Sequence, residues 1–337
     1  MGWYVSWRLQ VAGSLSLLAC AATAPGAGNE AGSDARGGST AAVLRPGDHS
    51  FTIRHDGRSR TYLVHVPPGY RGDPAPVVLA LHGGGGHAAQ FKEENGLDAV
   101  ADRHGFIAVY PDGTGPIRGR LLTWNSAKAC CGWALEHRID DVGFLAAVIA
   151  NLARRTTIDE RRVYVTGHSN GSMMAYRLAA ERADLVAAVV GVGGAMDLAT
   201  FAPSRPVPVL HIHSVDDPRA LYEGGLGPPF PGTSTQVPHA PVMAGLDLWA
   251  NRDGCRAGLV ERSRVTGSGA NAGQSVTRLA FEGCQAGTAV EHLRLTGAGH
   301  GWPGVEVGRV WQKLIGPATT LIDASEEAWA FASRFSR

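Results

Sequence analysis

Lysine is nearly absent from this chain. Of 31 basic residues among 337, only Lys92, Lys128 and Lys313 are lysines, and none follows a serine at the S-x-x-K spacing of serine/lysine enzymes. Nothing therefore supports a lysine-activated nucleophile. An excess of either charge is also missing: 31 basic residues against 30 acidic ones leave a net charge of +1. Such a chain carries no field that would draw nucleic acid or an acidic surface. With 44% hydrophobic and only 18% charged residues, the composition supports a buried core, the opposite of a disordered segment. Metal-ligand patterns are lacking as well. The five cysteines come without C-x-x-C or H-x-x-x-H spacings, which disfavours a zinc site.

No apolar run at the N-terminus is long enough to span a bilayer, which takes roughly 18 or more residues. After Arg8, the stretch from Leu9 to Ala19 is broken by Gln10, Gly13, Ser14 and Ser16, and it reads as a signal peptide over residues 1–20. Leu17-Leu18-Ala19-Cys20 resembles a bacterial lipobox with Cys20 as the lipidated residue, while Ala19-Cys20-Ala21 offers an A-x-A cleavage site. The expected location is therefore extracytoplasmic, either secreted or tethered to the cell envelope by an N-terminal lipid, the single membrane attachment expected. Residues 21–45, rich in Ala, Gly and Ser, read as a flexible tether. Residues 46–337 are expected to form one catalytic-size domain, since α/β folds of about 200 to 250 residues are commonly single.

Export gives the remaining cysteines a role. Cys255 precedes the strand-like run 258–265, and Cys284 follows the run 274–281, with a Gly-rich segment between. If the two runs pair as a hairpin, its open ends meet and a Cys255–Cys284 disulfide can form. Adjacent Cys130 and Cys131 are left either as a vicinal disulfide or as free thiols.

Short apolar runs alternate with helix-like stretches from residue 50 onward. Arg60 to Val66 alternates like an early strand; Val77 to Leu81, Ile107 to Tyr110, Val163 to Thr166, Val186 to Val192 and Val207 to Ile212 read as buried parallel strands, with Val290 to Leu295 a weaker one. Ala88 to His104, Asp140 to Arg155, Ser172 to Arg182, Val242 to Asn251 and Ile322 to Phe335 read as helices. Asp140 and Asp141 suit the N-terminus of the second of these, a capping role preferred to a catalytic one. This alternation predicts an α/β fold with a mostly parallel central sheet and helices on both faces. The Gly/Pro-rich segment 223–241 reads as a long loop or lid.

The chemistry centres on Gly167-His168-Ser169-Asn170-Gly171, a G-x-S-x-G between a strand and a helix. In that context the motif is a nucleophile elbow, with glycines relieving crowding around an exposed serine. Serine needs a base and an orienting acid, which follow in the order Ser, Asp, His in this fold class. Asp217 lies just past the strand ending at Ile212, and His300 lies in the loop Gly297 to Gly304. Both sit where sites on open parallel sheets form. His211 and His213 lie in or at the end of a strand and are read as packing or hydrogen-bonding residues. His82-Gly83-Gly84-Gly85-Gly86 follows the strand Val77 to Leu81 and suits an oxyanion loop. Gly84 and Asn170 are the expected backbone donors, with Gly83 the nearest competitor. Trp302 is assigned to the wall of an acyl or aromatic pocket; the competing reading is a core tryptophan bracing the loop. Trp124 and Trp133, beside the cysteine pair, are read as packing residues near the entrance.

Together, His82 to Gly86, Tyr110-Pro111-Asp112-Gly113, Cys130-Cys131-Gly132, Asp140 to Leu145, the elbow, His213 to Pro218 and Gly299 to Gly304 resemble the polyhydroxybutyrate-depolymerase and feruloyl-esterase group, related to carbohydrate esterase family 1. The resemblance runs from about residue 50 to the C-terminus. It implies an α/β-hydrolase that cleaves carboxylic esters through a Ser/Asp/His triad, with no metal and no cofactor. Its substrates would be small or oligomeric esters: hydroxyalkanoate oligomers, or feruloyl and acetyl esters. The family's H-G-x-x-D-P pattern selects Asp217 over Asp216. Two departures, Ser214-Val215-Asp216 in the acid loop and Ser172 after the elbow, alter the pocket's surroundings. A peptidase on the same triad, or a noncatalytic binding lipoprotein on this fold, are the rival readings.

Overall fold

The computed structural model describes residues 43–199, 201–229, 236–256, 258–285 and 287–337. Cys20, with the leader and most of the tether, lies outside the described residues. Among the described residues twelve strands are formed: β1 Gly47–His55, β2 Arg58–Val66, β3 Ala75–Leu81, β4 Ile107–Pro111, β5 Ile158–His168, β6 Ala188–Val192, β7 Val209–Ser214, β8 Gly225–Leu226, β9 Pro238–His239, β10 Leu259–Thr266, β11 Ser275–Phe281 and β12 Val290–Thr296. The helices are α1 Ala88–Asn95, α2 Leu97–His104, α3 Trp133–Glu136, α4 Asp141–Ala153, α5 Asn170–Glu181, α6 Val242–Arg252, α7 Arg309–Ile315 and α8 Ala324–Ala332.

Ten strands make one sheet in the order β1-β2-β4-β3-β5-β6-β7-β12-β11-β10. The six from β4 to β12 in that order run parallel, and antiparallel strands close both ends. Continuous apolar sequence in β3, β4 and β6 follows from burial on both faces. Along β3, Val77, Leu79 and Leu81 face the core under α4, α5 and α6, while Val78 and Ala80 face the one under α1, α2 and α8. This is the mostly parallel sheet with helices on both faces that the alternation predicts, and the α/β-hydrolase arrangement that the family resemblance implies.

Several elements differ from the sequence reading, among them the short helices α3 and α7, which it did not include. An edge strand, β1, precedes the first expected one; its alternation of half-buried and exposed residues, with Phe51 and Ile53 inward, is the period-2 signal. The single helix expected over Ala88 to His104 is two, because Gly96 adopts φ 71° and ends α1 before α2 begins. Within 223–241, the described part is not wholly loop: β8 and β9 pair as a short ribbon.

The hairpin of β10 and β11 pairs Leu259 with Phe281, and beyond its open end a disulfide joins Cys255 to Cys284. Asp140 caps α4 by accepting from the Gly143 N–H, and buried Asp141 pairs with Arg60. Cys130 and Cys131 are free thiols. Among the described residues no helix is long and apolar enough to cross a membrane.

Closing a loop of this span removes chain entropy from the unfolded state, worth about 3 kcal/mol. The double variant Cys255→Ser/Cys284→Ser should therefore unfold at a clearly lower urea midpoint than the oxidised protein, with a slope no smaller, since the uncrosslinked unfolded chain exposes more surface; coincident curves would contradict that contribution.

Candidate active site

The parallel strands end on one side of the sheet, and the site is assembled from the loops that leave those ends. At the end of β5 the chain reverses into α5 through Ser169, whose φ of 55° and ψ of −119° lie outside the regions open to most L-residues. Close backbone packing imposes that conformation. A Cβ on Gly167 would stand 2.4 Å from the Gly171 carbonyl oxygen, and one on Gly171 would stand 2.1 Å from that of Leu81. Both positions therefore exclude any side chain. Ser172 donates to the Gly194 carbonyl (2.7 Å), so this departure from the family pattern ties α5 to the loop after β6.

Ser169 Oγ lies 2.9 Å from His300 Nε2, and His300 Nδ1 lies 2.6 Å from Asp217 Oδ2. With the Nδ1 proton donated to the carboxylate, Nε2 is free to accept from the serine. Asp217 is buried and saturated: its Oδ1 accepts from the N–H groups of Arg219 (2.7 Å) and Ala220 (2.9 Å). Burial alone would raise the carboxyl's pKa, but the charge of His300 and hydrogen bonds from His213 and His300 hold it well below the usual carboxylate range. Asp216 turns the other way; its Oδ2 accepts from the Gly297 N–H at 2.6 Å. That contact anchors the loop bearing His300.

The loop expected to receive the oxyanion is held by His82. Its Nδ1 donates to the Gly83 carbonyl (2.8 Å), its Nε2 accepts from the Gly113 N–H (3.0 Å), and its own carbonyl accepts from the Trp124 indole (2.9 Å). The Gly86 N–H also reaches the Gly83 carbonyl (3.1 Å). A trans peptide points its N–H opposite to its C=O, so pinning the Gly83 oxygen fixes the direction of the Gly84 N–H. Gly83 itself packs on the nucleophile, a Cβ there standing 3.5 Å from Ser169 Cβ. The Asn170 side chain grips the 124–126 segment, accepting from Trp124 N–H (2.7 Å) and donating to Ser126 Oγ (3.1 Å). Its backbone N–H opens α5.

Trp302 is placed differently from the pocket wall assigned to it. It is buried, edge-on to Phe91 and bonded through its indole N–H to Ser325 Oγ (3.3 Å), so it braces the histidine loop against α1 and α8. Trp124 is buried under His82, and Trp133 stacks on His137. Supports not singled out in the sequence are His82 and His168. The latter lies beside the nucleophile but turns to donate to the backbone carbonyl of His300 (2.8 Å). Histidine beside a motif was the signal available for both.

Several of these histidines are held neutral by burial. It depresses His82 to about 4 and His168 and His292 to about 3, and takes His211 well below the ordinary value; a repelling charge on His300 adds to the effect at His168. Burial conversely raises Asp253 to about 6. A histidine with a depressed folded pKa contributes stability present above about pH 6.5 and lost as pH falls toward its folded value, whereas the raised carboxyl contributes below its unfolded value and loses that contribution as pH rises through about 6. At pH 5 His82, His168 and His292 take up protons on unfolding, the depressed His211 adds to that uptake and Asp253 releases a proton, so these groups together take up protons net. The thermal midpoint should fall steeply between pH 6.5 and 4.5; a flat profile across that window would contradict the burial of neutral imidazoles.

The model of the esterase PHB depolymerase family matches residues 60–248, more than half the chain. The NocK protein of Nocardia uniformis subsp. tsuyamanensis, named as an esterase, is 32% identical over 260 residues, covering 74% of this chain and 72% of its own. Feruloyl esterase B of Piromyces equi is 26% identical over 249 residues, and there the match spans 72% of this chain but only 42% of that protein. Among solved structures, an acetyl xylan esterase from Aspergillus awamori superposes with a TM-score of 0.54 at 14% identity, covering 85% of this chain and 99% of that one; at that identity the likeness concerns the fold. By its family match and its similarity to NocK, the chain belongs to the PHB depolymerase family of esterases.

Proposed function

We propose that the protein is a serine esterase that works through an acyl-enzyme on Ser169, exported and acting on small or oligomeric carboxylic esters. One observation carries this reading: the unbroken line from Ser169 Oγ through His300 to Asp217, with steps of 2.9 and 2.6 Å. Ser169 Oγ attacks the ester carbonyl while its proton passes to His300 Nε2. Asp217 holds the ring in the tautomer that can take it and stabilises the imidazolium. The oxyanion is received by the backbone N–H groups of Gly84 and Asn170. Among the described residues neither N–H has a hydrogen-bond acceptor, while those of Gly85 and Gly86 are committed to the carbonyls of Leu122 and Gly83. The imidazolium then returns the proton to the departing alkoxide. Water, deprotonated by the same nitrogen, releases the acid and restores the serine.

No metal or cofactor is required by this sequence of steps. The names of the relatives define the esters to try first: feruloyl and acetyl esters of xylan-type polysaccharides, and hydroxyalkanoate oligomers. Export rests on the signal-peptide pattern of residues 1–20, and lipid attachment on Cys20.

A fluorophosphonate probe should label wild-type protein and not Ser169→Ala; equal labelling of the two would place the nucleophile elsewhere. Asp217→Asn should lower ester turnover by up to about 10⁴-fold, because the base is left in the wrong tautomer. Asp216→Asn, which weakens only the contact to Gly297, should cost less than about tenfold. Comparable losses in both, or a larger one at Asp216, would overturn the assignment of the acid.

A further inference from the structure

Beneath the acid loop lies a buried polar chain that the triad itself does not use. His211 and His213 are two residues apart on β7 and so share a face, and the ladder sets His292 of β12 beside His211. All three are buried, as are Tyr176 of α5 and Tyr222. Their hydrogen bonds define a direction. His213 Nε2 faces two acceptors, the Ala220 carbonyl at 2.9 Å and Asp217 Oδ2 at 3.2 Å, so it carries a proton. With that ring neutral, Nδ1 accepts, and its partner at 3.0 Å, His211 Nε2, donates. His211 Nδ1 then accepts from the Tyr176 hydroxyl at 2.8 Å. A second branch fixes the backbone: His292 Nδ1 donates to the His211 carbonyl (2.9 Å), and the Tyr222 hydroxyl donates to His292 Nε2 (2.8 Å).

We propose that His213, held in one tautomer by His211 and Tyr176, is a positioning residue for the catalytic acid, supplying a second imidazole donor to the same carboxylate oxygen that binds His300. This rests on the serine-esterase reading above. Among the described residues Oδ2 meets only these two imidazoles, while Oδ1 is taken by two backbone N–H groups. The added donor disperses the charge on Oδ2 and fixes the carboxylate rotamer that meets His300 Nδ1. Without it, a more basic Oδ2 would hold the His300 imidazolium more tightly. The acid limb of activity would then shift to higher pH.

The other groups around the acid and base stay in place in the test. His168 donates to the His300 carbonyl, His239 comes in from β9, Asp216 binds Gly297, and the Arg219 guanidinium is turned to the Pro229 carbonyl. The experiment measures kcat and KM against pH for p-nitrophenyl acetate with wild type, His213→Leu, His213→Gln and Tyr176→Phe. Gln places an amide N–H where Nε2 was. His213→Leu should lose about tenfold in kcat with little change in KM, and its acid limb should move up by about half a pH unit or more. His213→Gln should restore both toward wild type. Tyr176→Phe, which removes one hydroxyl, should move the limb the same way by less. A drop in His213→Leu with an unmoved limb, or a Gln variant as impaired as Leu, would mean that His213 acts by packing alone and would overturn the proposal. Should the Leu variant fail to fold, the Tyr176→Phe profile decides: a limb coincident with wild type overturns the proposal. Absence of esterase turnover in the wild type would instead fail the underlying reading, so the two failures are distinct.

Discussion

Everything at the site depends on how closely the turn into α5 packs against the end of β3. Ser169 occupies a backbone conformation that costs an ordinary residue about 1–3 kcal/mol, and it persists because the surrounding chains leave no alternative. Gly171 abuts the Leu81 carbonyl, Gly167 abuts Gly171, and the Ser169 N–H is bonded to the Val192 carbonyl at 2.8 Å. The same contact sets the nucleophile against the loop His82 to Gly86. The Ser169 hydroxyl and the N–H groups proposed to receive an oxyanion are thus brought together by backbone packing, before any side chain is considered.

The other half of the site is held by tying the acid and base loops to each other. Ser214 donates to the Ala298 carbonyl (2.6 Å), Asp216 takes the Gly297 N–H, and His168 takes the His300 carbonyl. Trp302 wedges the far end of the base loop against Phe91. Three strand ends, those of β5, β7 and β12, are therefore tied into one unit. The buried Tyr176–His211–His213 chain extends that unit back into the core. The departure of Ser214 from the family's small-residue pattern has a visible use here: its hydroxyl is a staple.

The sequence made the sheet and the line of Ser169, Asp217 and His300 legible for a physical reason. Buried parallel strands need uninterrupted apolar runs, and an elbow needs glycines at fixed spacing; both constraints are local. Asp217 could be told from Asp216 by the H-G-x-x-D-P pattern of the family it resembles; that neighbours in extended backbone point to opposite sides means only that one of the two can face His300. What was not legible depends on contacts between distant segments. Trp302 could wall a pocket or brace a loop with equal economy until Phe91 and Ser325 were seen beside it. The direction of the Gly84 N–H, the donor proposed for the oxyanion, follows from a peptide orientation set by His82 and Gly86, which spacing does not encode. Gly96 breaks a helix whose apolar period continues across it, and β1 is an edge strand whose half-polar alternation is a weak signal. His213 carried its role in plain view within the acid-loop motif, yet its partners Tyr176 and His211 reach it only through the fold.

The central claim is that an ester passes through a covalent bond to Ser169, and rapid-quench mass spectrometry tests it most directly. During turnover of a p-nitrophenyl ester, the account predicts a burst of p-nitrophenol approaching one equivalent per enzyme, together with an acyl mass increment on the peptide containing Ser169. Steady turnover with no burst would leave deacylation fast and the adduct to be sought with a slower acyl group. An acyl increment that maps reproducibly to another residue, or ester cleavage that survives in Ser169→Ala at the wild-type rate, would contradict it.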